Sequence, residues 1–314
     1  MRAVVLVGGF GTRLRPLTLT TPKPMLPVDG VPMIERTIAH LGSHGIDEVV
    51  LSLGFNPDAF TAAYPDGRCA GVRLTYAVEP TPLDTAGGIA FAARAAGVDE
   101  RFLVVNGDVL TDVDVSALVS FHEKSGAEGT IFLTPVEDPS QFGVVPTDGD
   151  GRVVAFVEKP PRDQAPTNLI NAGYYVLEPS VIDRVAVDAK VNIERVTFPA
   201  MVADGTLYAR DLPAYWIDVG TPERYLQANL DASGGASVIG PGCSVAADAV
   251  VESSVLLPGA VVESGAVVRR SMVGAGAVVG AGARLDELTV VGDGVVVEPG
   301  STLVGVRVPD PDRT

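Results

Sequence analysis

The stretch Val273–Leu303, VGAGAVVGAGARLDELTVVGDGVVVEPGSTL, sets an aliphatic residue at the head of every group of six. The pattern extends upstream, through Ile239, Val245, Val251, Leu256, Val262 and Val268, to Val273, Val279, Leu285, Val291, Val297 and Leu303. Three successive groups make coils of 17, 17 and then 18 residues. Neither an α-helix nor an ordinary strand has a period of six. A triangular parallel β-helix does: each coil of about 18 residues has three short sides, one inward aliphatic residue per side and small residues at the corners. A flexible linker would not be valine-rich at a fixed period. The spacing therefore predicts a β-helix over 236–308, followed by a tail at 309–314.

Upstream of residue 232 the pattern is different. Apolar runs AVVLV, EVVLSL, VRLTYAV, RFLVVNGD and GTIFLTPV read as strands, and VVAFVEKP, INAGYYVL and LYARDL add more. Between several of them lie PMIERTIAHLGSHG, AGGIAFAARAAG and VSALVSFHEKSG, with apolar residues at helical spacing and a glycine stop. Strands alternating with helices predict an α/β domain over 1–232 with a mostly parallel sheet.

The chain has 314 residues and a formal net charge of −16, which argues against nucleic acid or an anionic membrane as partner. No window approaches the length of a membrane span, and Gly8–Gly9 interrupts the N-terminal apolar run before it could form a signal sequence. The two cysteines, Cys69 and Cys243, lie far apart without metal-ligand spacing, as expected of buried thiols in a reducing cytoplasm.

Against this acidic background the first strand leaves through a basic, glycine-rich loop, LVGGFGTRLRPLTLTTPKPMLP, Leu6–Pro27. Glycines let successive N–H groups converge on phosphate oxygens. The loop is neither a Walker sequence nor a dinucleotide fingerprint. Arg13 can grip a polyphosphate bidentately and Lys23 is a compact charge for one phosphate, with prolines stiffening the span between them.

This loop, continued as VDGVPMI, resembles the signature of the sugar-1-phosphate nucleotidylyltransferases, most closely the mannose-1-phosphate guanylyltransferase branch. EPTPLDTAGG, VVNGDVL, FGVVPTD, VVAFVEKP, INAGYYVL, ERVTFPAMVADG and YWIDVGTPERYL extend the resemblance in order over about residues 1–230. It implies a Rossmann-like mixed, mostly parallel sheet followed by a left-handed parallel β-helix of hexapeptide repeats. It also implies a reaction in which a sugar-1-phosphate oxygen attacks the α-phosphorus of a nucleoside triphosphate and pyrophosphate leaves. The attacking oxygen is already ionised, so charge neutralisation and positioning carry the catalysis.

The resemblance assigns roles residue by residue. Leu6, Gly8, Gly9, Gly11, Thr12, Arg13, Glu79, Pro82, Thr85, Ala86 and Gly107 bind the nucleotide. Gly143, Glu158, Lys159, Asn171 and Gly173 bind the sugar phosphate. Asp108 and Asp218 hold Mg²⁺, a cation suited to one or two carboxylates plus phosphate oxygens. Arg13, Lys23, Asp108 and Asp218 are the expected catalytic set. Asp112 and Asp114 read as helix-start acids.

Glu79 follows a strand at the position where thymidylyltransferases usually carry an amide. A carboxylate accepts hydrogen bonds and donates none, which suits the paired N1–H and N2 donors of guanine. The expected substrates are thus GTP and mannose-1-phosphate, with thymidylyl or uridylyl transfer to glucose-1-phosphate as the alternative function; the alternative for Glu79 is that it faces solvent while backbone at Leu83–Ala86 reads the base. A hexapeptide acyltransferase would need a histidine base, yet His40, His44 and His122 all lie before the repeats. A silent regulatory subunit would have lost one of the four catalytic residues. Open coil ends and flat sides are sheet edges that self-association would cover, so a homo-oligomer is expected.

Overall fold

The computed structural model describes residues 1–9, 11–54 and 57–310. The expected tail lies, from residue 311 onward, outside them. Two compact units divide the chain: Met1–Gly8 with Glu35–Trp216, and Gly9–Ile34 with Ile217–Thr314.

The first unit is built on a ten-stranded mixed sheet. Its central strands run, in spatial order, Phe102–Asn106, Arg2–Leu6, Glu48–Leu53 and Val72–Val78, all parallel. Phe102–Asn106, Arg2–Leu6 and Glu48–Leu53 bury apolar residues at consecutive positions, as strands covered on both faces require, whereas Val72–Val78 sets exposed Arg73 between buried Val72 and Leu74. An antiparallel flank follows on one side: Leu169–Leu177 pairs with both Phe102–Asn106 and Gly129–Pro135. Helices Asp84–Ala95 and Phe198–Asp204 pack on the sheet around Phe102, Tyr175, Phe198 and Met201. The run expected as a strand at 153–160 forms one only at Val157–Glu158. Pro160 supplies no N–H, Val153 makes only an isolated bridge to Thr147, and the Phe156 ring turns against Phe198.

In the second unit the parallel strands of 238–308 stack into three sheets, as in a left-handed β-helix. The register matches the repeat: Ile239, Leu256, Val273, Val291 and Val308 lie one above another. Val245, Val262, Val279 and Val297 form the second column, and Val251, Val268, Leu285 and Leu303 the third. Leu256, Val268, Val273, Val279, Leu285 and Val291 are fully buried, each side chain contributing about 1.5–3 kcal/mol. Ile239 and Val245, expected to point inward, are 48% and 39% exposed. They belong to the first coil, which has a neighbouring coil on one side only.

Among the described residues no helix is long and apolar enough to cross a membrane. Both cysteines are free, and burial pushes the Cys69 thiol up to about 11.

Candidate active site

After Arg2–Leu6 the chain lays Glu48–Leu53 and Val72–Val78 on one side, then returns to place Phe102–Asn106 on the other. This reversal makes a topological switch point at the carboxyl ends of neighbouring parallel strands, where open α/β sheets bind ligands. Leu6 pairs with Asn106, and the Gly107 N–H donates to the Leu6 carbonyl at 2.9 Å. Gly8 and Asp108 continue from these two strand ends.

The next strand end carries Glu79. Its carboxylate accepts the Leu83 N–H at 2.9 Å and the Ser52 hydroxyl at 3.2 Å, and it lies close over Gly88. Glu79 therefore closes the loop containing Pro82 and fixes the start of helix Asp84–Ala95, whose first turn carries Thr85 and the buried Ala86. Thr85 accepts the Ile193 N–H at 2.8 Å and donates to Glu194 Oε2 at 3.1 Å. Asn192 donates to Asp84 at 3.0 Å, and the Gly87 N–H to the Val191 carbonyl at 3.1 Å. A strap at 189–194 thus holds the loop from below. Burial, aggravated by Glu158 and Asp84, pushes the Glu194 carboxyl above the usual range.

The residues expected at the sugar phosphate gather on the antiparallel flank. Gly143 pairs with Glu158 and lies against its carboxylate and the Phe156 ring. Lys159 Nζ sits 3.2 Å from Glu158 Oε1. Lys159 adopts φ +50°, held by its N–H donating to the Phe142 carbonyl at 3.0 Å, and Asp84 adopts φ +63°. Left-handed non-glycine residues cost energy and cluster at functional sites. Asn171 donates to the buried Tyr175 hydroxyl at 2.9 Å and accepts the Gly173 N–H at 3.0 Å. Trp216 donates to the Ala172 carbonyl at 2.9 Å and meets Phe142 edge-on.

In the second unit the basic loop folds through three short turns, Thr12–Leu14, Leu17–Leu19 and Lys23–Met25, over buried Leu14, Leu17 and Leu26. Gly11 has φ +57°, and its backbone is so close to Lys23 that a Cβ would sit 3.1 Å from the lysine Cβ. Thr18 donates to the Gly11 carbonyl at 2.8 Å. The Thr12 and Arg13 side chains are exposed. The Arg13 guanidinium and the Asp218 carboxylate both crowd Gly220: a Cβ there would lie 2.8 Å from Arg13 Nη2 and 2.9 Å from Asp218 Oδ1. Arg13, a cation suited to phosphate, and Asp218, a hard oxygen donor of the kind Mg²⁺ takes, thus share one cradle that only glycine leaves open. Downstream, the Asp29-Gly30 turn joins Pro27–Val28 to Val31–Pro32. Helix Pro222–Ala232 anchors it through Tyr225 to the Pro27 carbonyl, 2.6 Å, and Asn229 to the Asp29 N–H, 2.9 Å.

Asp114 caps helix Val115–Ser125 as expected, whereas Asp112 accepts the Tyr215 N–H instead of a helical one. Glu194, Tyr175 and Gly220 lie inside the matched motifs without an assigned role and Ser52 lies outside them, yet each touches a candidate site residue: Thr85, Asn171, Arg13 with Asp218, and Glu79. Glu194 lies in a π-helical turn, Ile193–Thr197, whose period matches no ordinary pattern; the signal was Asn192, which caps that turn.

A family model described as "Nucleotidyl transferase" matches residues 2–234. The chain belongs to the nucleotidyl transferase family. A second model, the GMPPB C-terminal domain, matches residues 231–313 of this nucleotidyl transferase. A relative from Mycobacterium tuberculosis named mannose-1-phosphate guanylyltransferase is 46% identical over 231 residues, 73% of this chain and 64% of the relative. The Aspergillus fumigatus mannose-1-phosphate guanyltransferase is 43% identical over 230 residues, 72% of this chain and 62% of its own. The matches thus span just under two thirds of those relatives' lengths. Crystal structures of HddC from Yersinia pseudotuberculosis, one complexed with GMP-PN, are 28% identical over 74% of this chain and 99% of theirs. Their TM-scores are 0.64 and 0.63.

Proposed function

We propose that this chain transfers a guanylyl group from GTP to mannose-1-phosphate, giving GDP-mannose and pyrophosphate. The observation that carries the reading is the 46% identity over 231 residues to a mannose-1-phosphate guanylyltransferase, beside a nucleotidyl transferase match at residues 2–234 that spans every candidate site residue. The Yersinia relative crystallised with GMP-PN supports a guanine nucleotide.

In this reading a phosphate oxygen of the sugar-1-phosphate forms a bond to the α-phosphorus while the bond to the bridging oxygen breaks and pyrophosphate departs. Backbone N–H groups of Gly8, Gly9, Gly11 and Thr12 wrap the triphosphate, beside Leu6 and Gly107. Arg13 takes up the charge of the departing pyrophosphate, and Lys23 steadies the α-phosphate. Glu79 faces the base beside Pro82, Thr85 and Ala86. Lys159 meets the sugar-linked phosphate; Glu158 and Asn171 meet sugar hydroxyls between Gly143 and Gly173. Asp108 and Asp218 hold Mg²⁺, which when bound neutralises phosphate charge. No side-chain nucleophile is required.

The catalytic part is taken as residues 1–232 and the β-helix, 236–308, as the surface through which copies associate. Two free cysteines agree with action in a reducing cytoplasm. The test is pyrophosphate release from GTP, dTTP, UTP, ATP and CTP with mannose-1-phosphate and with glucose-1-phosphate. GTP with mannose-1-phosphate is expected to give the highest kcat/KM. A preference for dTTP or UTP would leave only the broader family reaction. Sedimentation velocity of the full chain and of residues 1–234 tests the association.

A further inference from the structure

The corners of one β-helix column carry Pro241, Pro258 and Ala275 in successive coils, and Asp293 in the next. The acid breaks the pattern at a position where the repeat asks only for a small or turn-forming residue. Its side chain is occupied. Oδ1 accepts the Ala275 N–H of the preceding coil at 2.7 Å, and Oδ2 accepts the hydroxyl of Thr20. The adjacent Gly292 lies under Pro16: a Cβ there would sit 3.0 Å from the proline Cβ. Two residues of the basic loop, Pro16 and Thr20, therefore land on two consecutive residues of one coil. Between them Thr18 reaches back to the Gly11 carbonyl. The loop's other limb is tied to helix Pro222–Ala232 through Pro27 and Asp29.

We propose that Asp293 is a positioning residue: by holding Thr20 it fixes the loop between Arg13 and Lys23, so that the β-helix sets the loop's grip on the triphosphate. The inference rests on the reaction proposed above. A glycine-rich loop pays conformational entropy when it orders around phosphate, and a loop already held pays less. The acceptor is a carboxylate, which makes the hydrogen bond a strong one, and Ala275 prevents that carboxylate from turning away. The β-helix then has a part in nucleotide binding beyond support.

The test uses the full chain and the variants Thr20→Val, Asp293→Ala, Asp293→Asn and Thr20→Val/Asp293→Ala. Thr20→Val leaves the Asp293–Ala275 bond untouched, and asparagine can keep both contacts with its oxygen and its amide. Hydrogen exchange of the amides of residues 11–25, without substrate, should quicken in Thr20→Val and Asp293→Ala and stay near wild type in Asp293→Asn. KM for GTP should rise about five- to tenfold in the first two and less than about twofold in Asp293→Asn, at unchanged KM for mannose-1-phosphate. The double variant should be no worse than either single, because both remove one interaction. Unaltered exchange, additive effects in the double variant, or equal rises in both KM values would overturn the proposal. If the wild type turned over no triphosphate, the proposed reaction would fail, while exchange at residues 11–25 would still decide whether Asp293 holds the loop.

Discussion

The Glu79 carboxylate accepts the Leu83 N–H at 2.9 Å while its other oxygen meets the Ser52 hydroxyl at 3.2 Å. One side chain thus closes the loop before helix Asp84–Ala95 and ties it to the neighbouring strand at Ser52. Glu79→Gln keeps an oxygen for Leu83 but replaces acceptor capacity with a donor. The ratio of kcat/KM for GTP to that for UTP should fall by roughly 10–100-fold, with melting temperature nearly unchanged, because a mismatched polar group at a binding site is costly. An unchanged ratio would assign base reading to the backbone of residues 83–86.

Gly220 tests the cradle of Arg13 and Asp218. In Gly220→Ala the new methyl would meet both side chains at under 3 Å, so one must move. Turnover should drop by about tenfold or more, since small displacements at a reacting centre are expensive. Asp108→Ala and Asp218→Ala should each lower kcat by about 10²–10³ or more, the scale of losing a preorganised charge-stabilising group. Circular dichroism should show both variants folded; near-wild-type rates in both would remove the metal assignment.

Leu285 is fully buried in the β-helix column beneath Leu303 and above Val268. Leu285→Ala should destabilise by about 2–5 kcal/mol, through lost burial and the cavity left behind. Thermal unfolding followed by circular dichroism measures it, and a loss under 1 kcal/mol, roughly the cost of deleting a single methylene, would mean the coil collapses freely.

Glu128 gives a pH dependence with a definite sign. Arg184 donates to both its oxygens, at 2.8 and 2.6 Å, and Thr206 and Ser180 add hydroxyl donors at 2.8 and 3.1 Å. Arg184 holds the carboxyl below its ordinary value of 4.5. A carboxyl depressed in the folded state contributes stability above its unfolded pKa and loses it as pH falls through the folded one. Glu128→Gln should therefore be less stable than wild type by about 1–3 kcal/mol at pH 7, and the difference should shrink below about pH 4. Urea unfolding at several pH values checks this; a pH-independent difference would mean that shape, not charge, is at stake.

The β-helix was legible because its information is local and repeated: an inward residue recurs about every six positions, and the register follows the repeat from Leu256 to Val297. The parallel centre of the sheet was legible for a similar reason, since strands buried on both faces are written as unbroken apolar runs. Chemistry-bearing residues such as Arg13, Asp108 and Lys159 stood out by type and motif. What periodicity could not give was any relationship between residues distant along the chain. Glu194 meets Thr85 across 109 positions, and Asp293 meets Thr20 across 273. Nor could it give the short strand at Val157–Glu158, the left-handed Lys159 or the π-helical turn at Ile193–Thr197, where tertiary contacts outweigh local preference. Sequence fixes which faces must be buried and which groups can bind charge. Only the folded chain decides which neighbours satisfy them, because a hydrogen bond is made in space and its partner can come from any position in the chain.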